Sequence, residues 1–454
     1  MVDSALPRAT AHRGALATAL AALFGVTGLG SAAVAVSLPV IALDLDVAPG
    51  RAALIVSCYS LALAVGSGVF GRLGDIYGIR APFVIGLWVM VTAACVGALV
   101  DSLPALIAAR ILQGLGAAAV PALTLAAVQA IFEGDGRARA MATYASVGAT
   151  VNVLGPVIGA ALVGPLGWRP VVAIPVVSLA LLPLVRRDLP TTRQPGATLD
   201  APGAALVAVA ATGAVLSLQA ATLGPVTAVI GAVALFTAAP VAVLRARRHP
   251  EGVLPLAMIS DRAARKSLLT AVSLSSSWFG MLVAIPTALV AAGWASVQVG
   301  LLLVPCAAVG LFAPRLTAPL LLRLGSVRAQ VLAGTGVASA LVLASVGIAF
   351  ASPYPLVLAT LVLMTSFGLG QPAMTMLVAE SVPVRGRGGA LGLMTLIFLL
   401  GGALGAATVG GLGEAIGLDR AVLVLAALPV TAVVVLARHT PHPRSTHPHP
   451  QEKP

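Results

Sequence analysis

Charge is scarce in this chain. Of 454 residues, 15 are acidic and 27 are Lys or Arg, 9% in all, against about a quarter in an ordinary soluble domain. Nothing of domain size is hydrophilic enough to stand in water, which excludes a soluble enzyme or regulatory module. Cysteine is nearly absent: Cys58, Cys95 and Cys306 fall inside apolar runs at unrelated spacings, which argues against a disulfide framework or metal cluster and suits small packing residues. Histidine is confined to tails and loops, at His12, His249, His439, His442, His447 and His449. No Ser-His-Asp set shares a plausible depth, and there is no phosphate-cradling glycine loop and no metal-ligand spacing. The sequence therefore predicts a protein that is not an enzyme and needs no cofactor and no metal.

What the chain has in abundance is apolar length. It is 59% hydrophobic with a mean hydropathy of +1.03, and apolar stretches of about 18 to 29 residues, each long enough to cross hydrocarbon as a helix, recur along it. Fourteen such spans are predicted, from 15–43 to 419–437, with the second at 52–71, the fourth at 104–131, the fifth at 139–164 and the sixth at 169–186. The first is too long for a cleaved signal and reads as a retained helix. Formal net charge is +12, and its placement decides its meaning. Alternate loops on the N-terminal side hold most of the Lys and Arg. The other side holds Arg51, Arg169 and Arg420 against Asp44, Asp46, Asp101, Glu414 and Asp419. That asymmetry is the positive-inside pattern: it puts both termini in the cytoplasm and makes a nucleic-acid partner a poor explanation of the charge.

The spans divide as six, two and six. Expected units are a bundle over 1–187, a central helix pair with its cytoplasmic loop over 188–262, a second bundle over 263–437 and a disordered His/Pro-rich tail over 438–454. Two short motifs repeat at nearly one spacing. GRLGDIYGIR at 71–80 matches APLLLRLGSVR at 318–328, and GPVIGA at 155–160 matches GGALGA at 401–406. The starts differ by 247 (71 to 318) and 246 (155 to 401), and this agreement is stronger than either match alone. Paired six-helix repeats are the plan of carriers that rock about a site at the membrane midplane.

At these residues the chain resembles the major facilitator superfamily. GRLGDIYGIR resembles that family's loop signature between the second and third spans. LIAARILQGLGAA at 106–118 is similar to its fourth-helix signature, and GPVIGA to the antiporter signature of the fifth helix, with Ala160 replacing the last glycine. With fourteen spans and Gly167-Trp168-Arg169, the resemblance points to the drug:proton antiporter branch with two extra central helices. It implies an all-α membrane fold of two six-helix bundles and secondary active export of lipophilic small molecules by proton antiport. It also implies a bacterial inner membrane as the location, and a monomer is expected, with the lipid bilayer, the substrate and protons as its partners.

Each motif carries expected roles. Gly71, Gly74 and Gly78 allow a tight turn and close approach in a cytoplasmic gating loop, flanked by Arg72 and Arg80. Asp75 suits the positive N-terminal end of a neighbouring helix, which the resemblance places near Gly388. Arg110 lies two turns into a span, where an ionisable group costs about 2.5 to 3.5 kcal/mol and by default faces a cavity; Gln113 and Gly114 share its helix, and the resemblance associates this arginine with proton coupling. Gly155, Pro156 and Gly159 form a kinked small-residue face for close helix packing. Ser31, Ser37, Tyr59, Tyr144, Asn152, Trp278 and Gln371 are candidate polar groups in an otherwise apolar cavity.

The chain departs from the branch in its first span. LGSAAVAVSLP at 29–39 holds Gly30 and Ala35 where the branch has an Asp and an Asn. No Asp, Glu or His lies inside any predicted span, so the residues supply no group there whose pKa could alternate between access states. With Arg110 and Arg315 as the cations inside spans, a neutral or anionic amphipathic substrate fits better than an organic cation. Two alternatives stay open: an uncoupled or differently coupled carrier of one metabolite, and a non-transporting sensor or scaffold built on the same bundle.

Overall fold

The computed structural model describes residues 5–193, 199–249, 262–381 and 387–438. All regular elements among them are helical, as hydrocarbon demands, because a helix satisfies its own backbone polar groups. The first bundle comprises α1 (Arg13–Asp44), α2 (Pro49–Tyr77), α3 (Arg80–Leu99), α4 (Leu103–Ile131), α5 (Arg139–Leu166) and α6 (Arg169–Val185). A central pair follows, α7 (Ala201–Leu218) and α8 (Pro225–Arg248). The second bundle comprises α9 (Arg262–Ala291), α10 (Ser296–Ala349), α11 (Pro353–Ser381), α12 (Arg387–Ile416) and α13 (Leu418–Ala437). The expected tail over 438–454 and most of the long loop before α9 lie outside the described residues.

Twelve of these helices are long and apolar enough to cross a membrane. The predicted fourteen are reached only by adding α6 and dividing α10. α6 is short and interrupted by a 3-10 turn at Ile174–Val177. α10 runs for 54 residues with a non-helical break at Gly325, φ 73°. The repeat explains that break. Its counterpart under the 247-residue spacing is Gly78, which turns the chain between α2 and α3 at φ 81°, and only glycine holds such an angle without strain.

The second repeated motif is expressed as packing. On α5, a methyl group at Gly155 would lie 2.7 Å from Leu29 O, and one at Gly159 would lie 2.7 Å from Ala33 Cα. On α12, Gly401 and Gly405 press in the same way on Val272 and Ser276 of α9. The partners Leu29 and Val272 differ by 243 positions, as do Ala33 and Ser276, so the repeat extends to what the glycines touch. Without bulky side chains the backbones approach closely, which gives helices in lipid their van der Waals contact.

The central pair is held together at one end and along its length. Asp200 caps α7 by accepting from Gly203 N (3.0 Å) and pairs with Arg245 of α8 at 2.7 Å, while Gly213 and Gly231 let the two backbones meet. The outer face of α8 leaves Val226, Val229, Val233 and Phe236 exposed, as a lipid-facing surface requires.

The two bundles meet along two seams, α2 against α12 and α5 against α10. Close approaches across these seams gather at the end where α1 gives way to α2. There Gly164 packs on Val297, Ala160 on Gly300, and Gly410 on Ala53. The same end is clamped within the first bundle. Asp44 accepts from Trp168 Nε1 (2.7 Å) and pairs with Arg169 (3.1 Å), Arg169 also pairs with Asp101, and its guanidinium stacks on the Trp168 ring at 4.6 Å.

Candidate functional site

Three constellations emerge from this frame. The first is GRLGDIYGIR, which is helical where a loop was expected. α2 continues to Tyr77, so Gly71, Arg72, Gly74 and Asp75 occupy its last two turns and only Gly78 and Ile79 form the connection. The charges stop hydrophobicity earlier than they stop the helix, which displaced the predicted span end from 77 to 71. Gly71 has no neighbour that a methyl group would meet, contrary to the close approach expected of it, whereas a methyl group at Gly74 would lie 2.6 Å from Leu123 Cδ2. Gly78 does make the tight turn: Ile79 N and Arg80 N both donate to Pro190 O (2.9 and 3.1 Å), and a methyl group at Gly78 would strike Thr191. The α2–α3 turn is thereby docked on the strand of chain leaving α6. Arg80 is exposed. Arg72 and Asp75 face each other one turn apart at 3.4 Å, both partly buried. The helix start near Gly388, to which the resemblance assigns Asp75, has its side chains outside the described residues.

The second constellation surrounds Arg110, which is 1% exposed. Its position facing α2 follows from Gly114, where a methyl group would lie 2.5 Å from Tyr59 O, so the two helices run in contact. Arg110 Nη1 donates to Gln113 Oε1 at 2.6 Å, Nε donates to Ile55 O at 3.4 Å, and the guanidinium lies 4.0 Å above the Tyr59 ring. Gln113 Nε2 in turn donates to Val172 O (3.4 Å) on α6, and Tyr59 OH donates to Thr27 O (3.4 Å) on α1. One charge thus ties four helices together. Its Nη2 has no hydrogen-bond partner among the described residues, nor does the buried Ser31 hydroxyl. No described carboxylate forms an ion pair with Arg110. Its described contacts are a neutral amide, a backbone carbonyl and an aromatic ring.

The third is an apolar cavity between the bundles. Val153 and Pro156 of α5 face Trp278 and Ile285 of α9 and Thr360 and Met364 of α11 across it. The Thr360 hydroxyl is already spent on Leu356 O (2.9 Å), so the walls present carbon and one indole. Trp278 is the one residue of the expected cavity set that lines this space. Ser37 returns its hydroxyl to Ala33 O inside α1 (2.9 Å). Tyr144 is pinned by Thr124 (2.9 Å) and stacks on Phe24. Asn152 lies against Gly28 in the α1–α5 contact, and Gln371 is exposed on α11. The side chains of Arg315 and Cys306 lie outside the described residues.

The family model for the Major Facilitator Superfamily matches residues 20–346 and 328–454. The chain belongs to the major facilitator superfamily. Curated relatives include the cephamycin export protein CmcT of Amycolatopsis lactamdurans, 36% identical over 175 residues, 35% of this chain and 36% of that protein. The tetracenomycin C resistance and export protein of Streptomyces glaucescens is 36% identical over 169 residues, 36% of this chain and 31% of that one. The multidrug resistance protein Stp of Mycobacterium tuberculosis is 36% identical over 130 residues, 28% and 24% of the two chains. The alignments span about a third of these relatives' length. Among solved structures, a peptide transporter POT in complex with sulfate superposes with TM-score 0.67 at 16% identity, covering 93% of this chain and 94% of that one. The human organic anion transporter MFSD10 gives 0.64 at 17% identity, covering 93% and 99%. The family match and these superpositions show the major facilitator fold across nearly the whole chain.

Sequence reading missed two elements of this frame. Gln330 is fully buried and joins Thr270 (2.9 Å), Ser267 and Ala373 O (both 3.3 Å), bracing α9, α10 and α11. The Asp44–Trp168–Arg169–Asp101 clamp was visible only as net charge. A buried glutamine in a span was the available signal for the first, because its amide must find partners in the same bundle.

Proposed function

We propose that the protein is a bacterial inner-membrane exporter of lipophilic small molecules, working by alternating access and driven by proton antiport, with both termini in the cytoplasm. The observation that carries this reading is the small apolar cavity between the bundles, which would admit a ligand only as the bundles part, beneath an end where Gly164, Val297, Ala160 and Gly300 close one seam. Walls of carbon with a single indole suit a lipophilic ligand, which such a site holds by desolvation rather than by charge. The relatives named for export of cephamycin and tetracenomycin C support efflux of antibiotic-like compounds. Residue roles follow the same reading: Asp75 as part of a cytoplasmic gate, Arg110 with Gln113 as the charge around which the first bundle responds, and Gly155, Pro156 and Gly159 as the tight face of α5. The full count of fourteen spans and the monomeric state belong to this proposal.

Asp75 tests the gate. A carboxylate in the last turn of α2 sits at the negative end of the helix dipole, an arrangement that costs a few tenths of a kcal/mol to about 1 kcal/mol rather than helping the fold. Arg72 offsets part of that cost from within α2, and the gate reading gives Asp75 a further partner outside the helix. Asp75→Asn is therefore expected to abolish drug export from cells while the protein reaches the membrane at normal level. Export at the parental rate would remove Asp75 from the gate.

A further inference from the structure

α2 begins without a cap of its own. Ala48, at the N-cap position, has no side-chain acceptor, and Pro49 has no N–H, so Gly50 N is the first of the orphan donors at this helix start. The acceptor comes from the other bundle. Glu414, near the end of α12, accepts from Gly50 N at 2.9 Å. The backbones are close as well: a methyl group at Gly50 would lie 2.5 Å from both Glu414 Oε1 and Gly410 O, and one at Gly410 would lie 2.5 Å from the Ala53 Cβ. A carboxylate is favoured here by the positive end of the α2 dipole.

Among the described residues nothing else pairs with this carboxylate, and Glu414 is itself exposed. The charged groups on the elements packed around it are Arg51 on α2 and Asp419 and Arg420 at the start of α13, and none forms an ion pair with Glu414. The elbow between α7 and α8 closes the third side. Gln219 is fully buried there with both amide atoms unpartnered among the described residues, and its Nε2 would lie 3.2 Å from a methyl group at Gly410. The related seam is different. Stepping back 246 positions from Gly410 gives Gly164, whose neighbour on α10 is the apolar Val297. Among the described residues, a charged contact is seen at the α2–α12 seam and none at the α5–α10 seam.

We infer that Glu414 and the bare N-terminus of α2 form a latch that holds the outer mouth shut and must break for α2 and α12 to part. The inference rests on the sidedness and alternating access proposed above. Asp75 stands at the far end of the same helix, so α2 carries a gating contact at each end: its own acid at one, an acid of the opposite bundle at the other. The latch is made of one hydrogen bond, one charge and a glycine-enforced approach, and each can be removed separately.

The test uses the full-length protein in cells, with Cys58, Cys95 and Cys306 replaced by alanine and Val56→Cys as the reporter. Val56 is fully buried one turn below Ala53 on the same face of α2. The rate of labelling by a membrane-impermeant maleimide added outside reads opening of the seam without requiring any substrate. Glu414→Ala is expected to raise that rate about fivefold, the worth of a typical helix cap. Glu414→Gln, which keeps the shape and an acceptor oxygen but not the charge, should give a smaller rise, and Gly50→Ala a rise of its own. An unchanged rate in E414Q, E414A and G50A, with normal yield and a monodisperse profile, overturns the latch. A rise seen only in inverted vesicles would uphold the latch and overturn the assigned sidedness, which separates failure of the inference from failure of the reading beneath it.

Discussion

Arg110→Ala lowers export by about one to two orders of magnitude, because the substitution removes a charged hydrogen bond and strands the groups it served. A hydrogen bond to a charged group is worth about 1.5 to 3 kcal/mol, and a buried acceptor left without a donor costs about 1 to 3 kcal/mol. Gln113 Oε1, which takes the 2.6 Å bond from Nη1, is that acceptor. Removing the guanidinium also empties the space above the Tyr59 ring and breaks the link through which α4 reaches α2. Arg110→Lys separates the two contributions. It keeps the charge but, as a point donor on a flexible stem, cannot hold Gln113, Ile55 O and the Tyr59 face together. Its export is expected to fall between those of wild type and alanine. Transport assays in inverted vesicles, normalised to protein in the membrane, check both variants. Equal export by wild type and Arg110→Ala would reduce the arginine to a brace.

Gly159→Leu removes the folded protein rather than its activity alone. The β-carbon by itself would sit 2.7 Å from Ala33 Cα and Ala33 O, both main-chain atoms in the middle of α1 that cannot step aside as a side-chain tip can. Overpacking of this sort costs about 1 to 3 kcal/mol for a few methylene groups and more where backbone must move. Membrane yield and the apparent melting temperature in detergent are expected to drop together, by about 1 to 3 °C for the latter and more where backbone must move. Gly71→Leu is the control from the same family of motifs. No atom lies within reach of a methyl group at Gly71, so yield and melting temperature should stay near wild type. Equal losses at the two positions would mean that glycine matters here for reasons other than helix contact.

The contrast between Gly71 and Gly159 shows where the sequence was legible. Apolar length revealed the class and the helical content, because hydrocarbon leaves the backbone few options. The repeat went further: Gly78 and Gly325 both adopt positive φ at equivalent turns, and Gly159 and Gly405 press equivalent partners. Span ends were less legible. The charges of Arg72 and Asp75 lower hydropathy without ending α2, whereas the chain does leave helical geometry at Gly325, where the repeat set it opposite Gly78.

Side-chain placement was legible only where geometry forces it. Arg110 and Gln113, one turn apart, had to meet, and they do. Polar residues chosen for depth alone scattered. Ser37 bonds its own helix, Tyr144 its neighbour Thr124, and Gln371 is exposed, because a hydroxyl in hydrocarbon satisfies itself locally before it serves a cavity. The Glu414–Gly50 contact joins residues 364 positions apart, and the hint of it was negative: Ala48-Pro49 opens a helix that must be capped from elsewhere.

The central claim, that this bundle exports lipophilic molecules at the expense of a proton gradient, is tested most directly with purified protein in liposomes. Movement of neutral and anionic amphipathic dyes is followed with and without an imposed pH gradient. The account predicts accumulation against the dye gradient only when the pH gradient is present, abolished by Asp75→Asn and lowered about ten- to a hundredfold by Arg110→Ala. Transport at the same rate with and without the gradient, always running downhill, would contradict it and mark the protein as an uncoupled carrier.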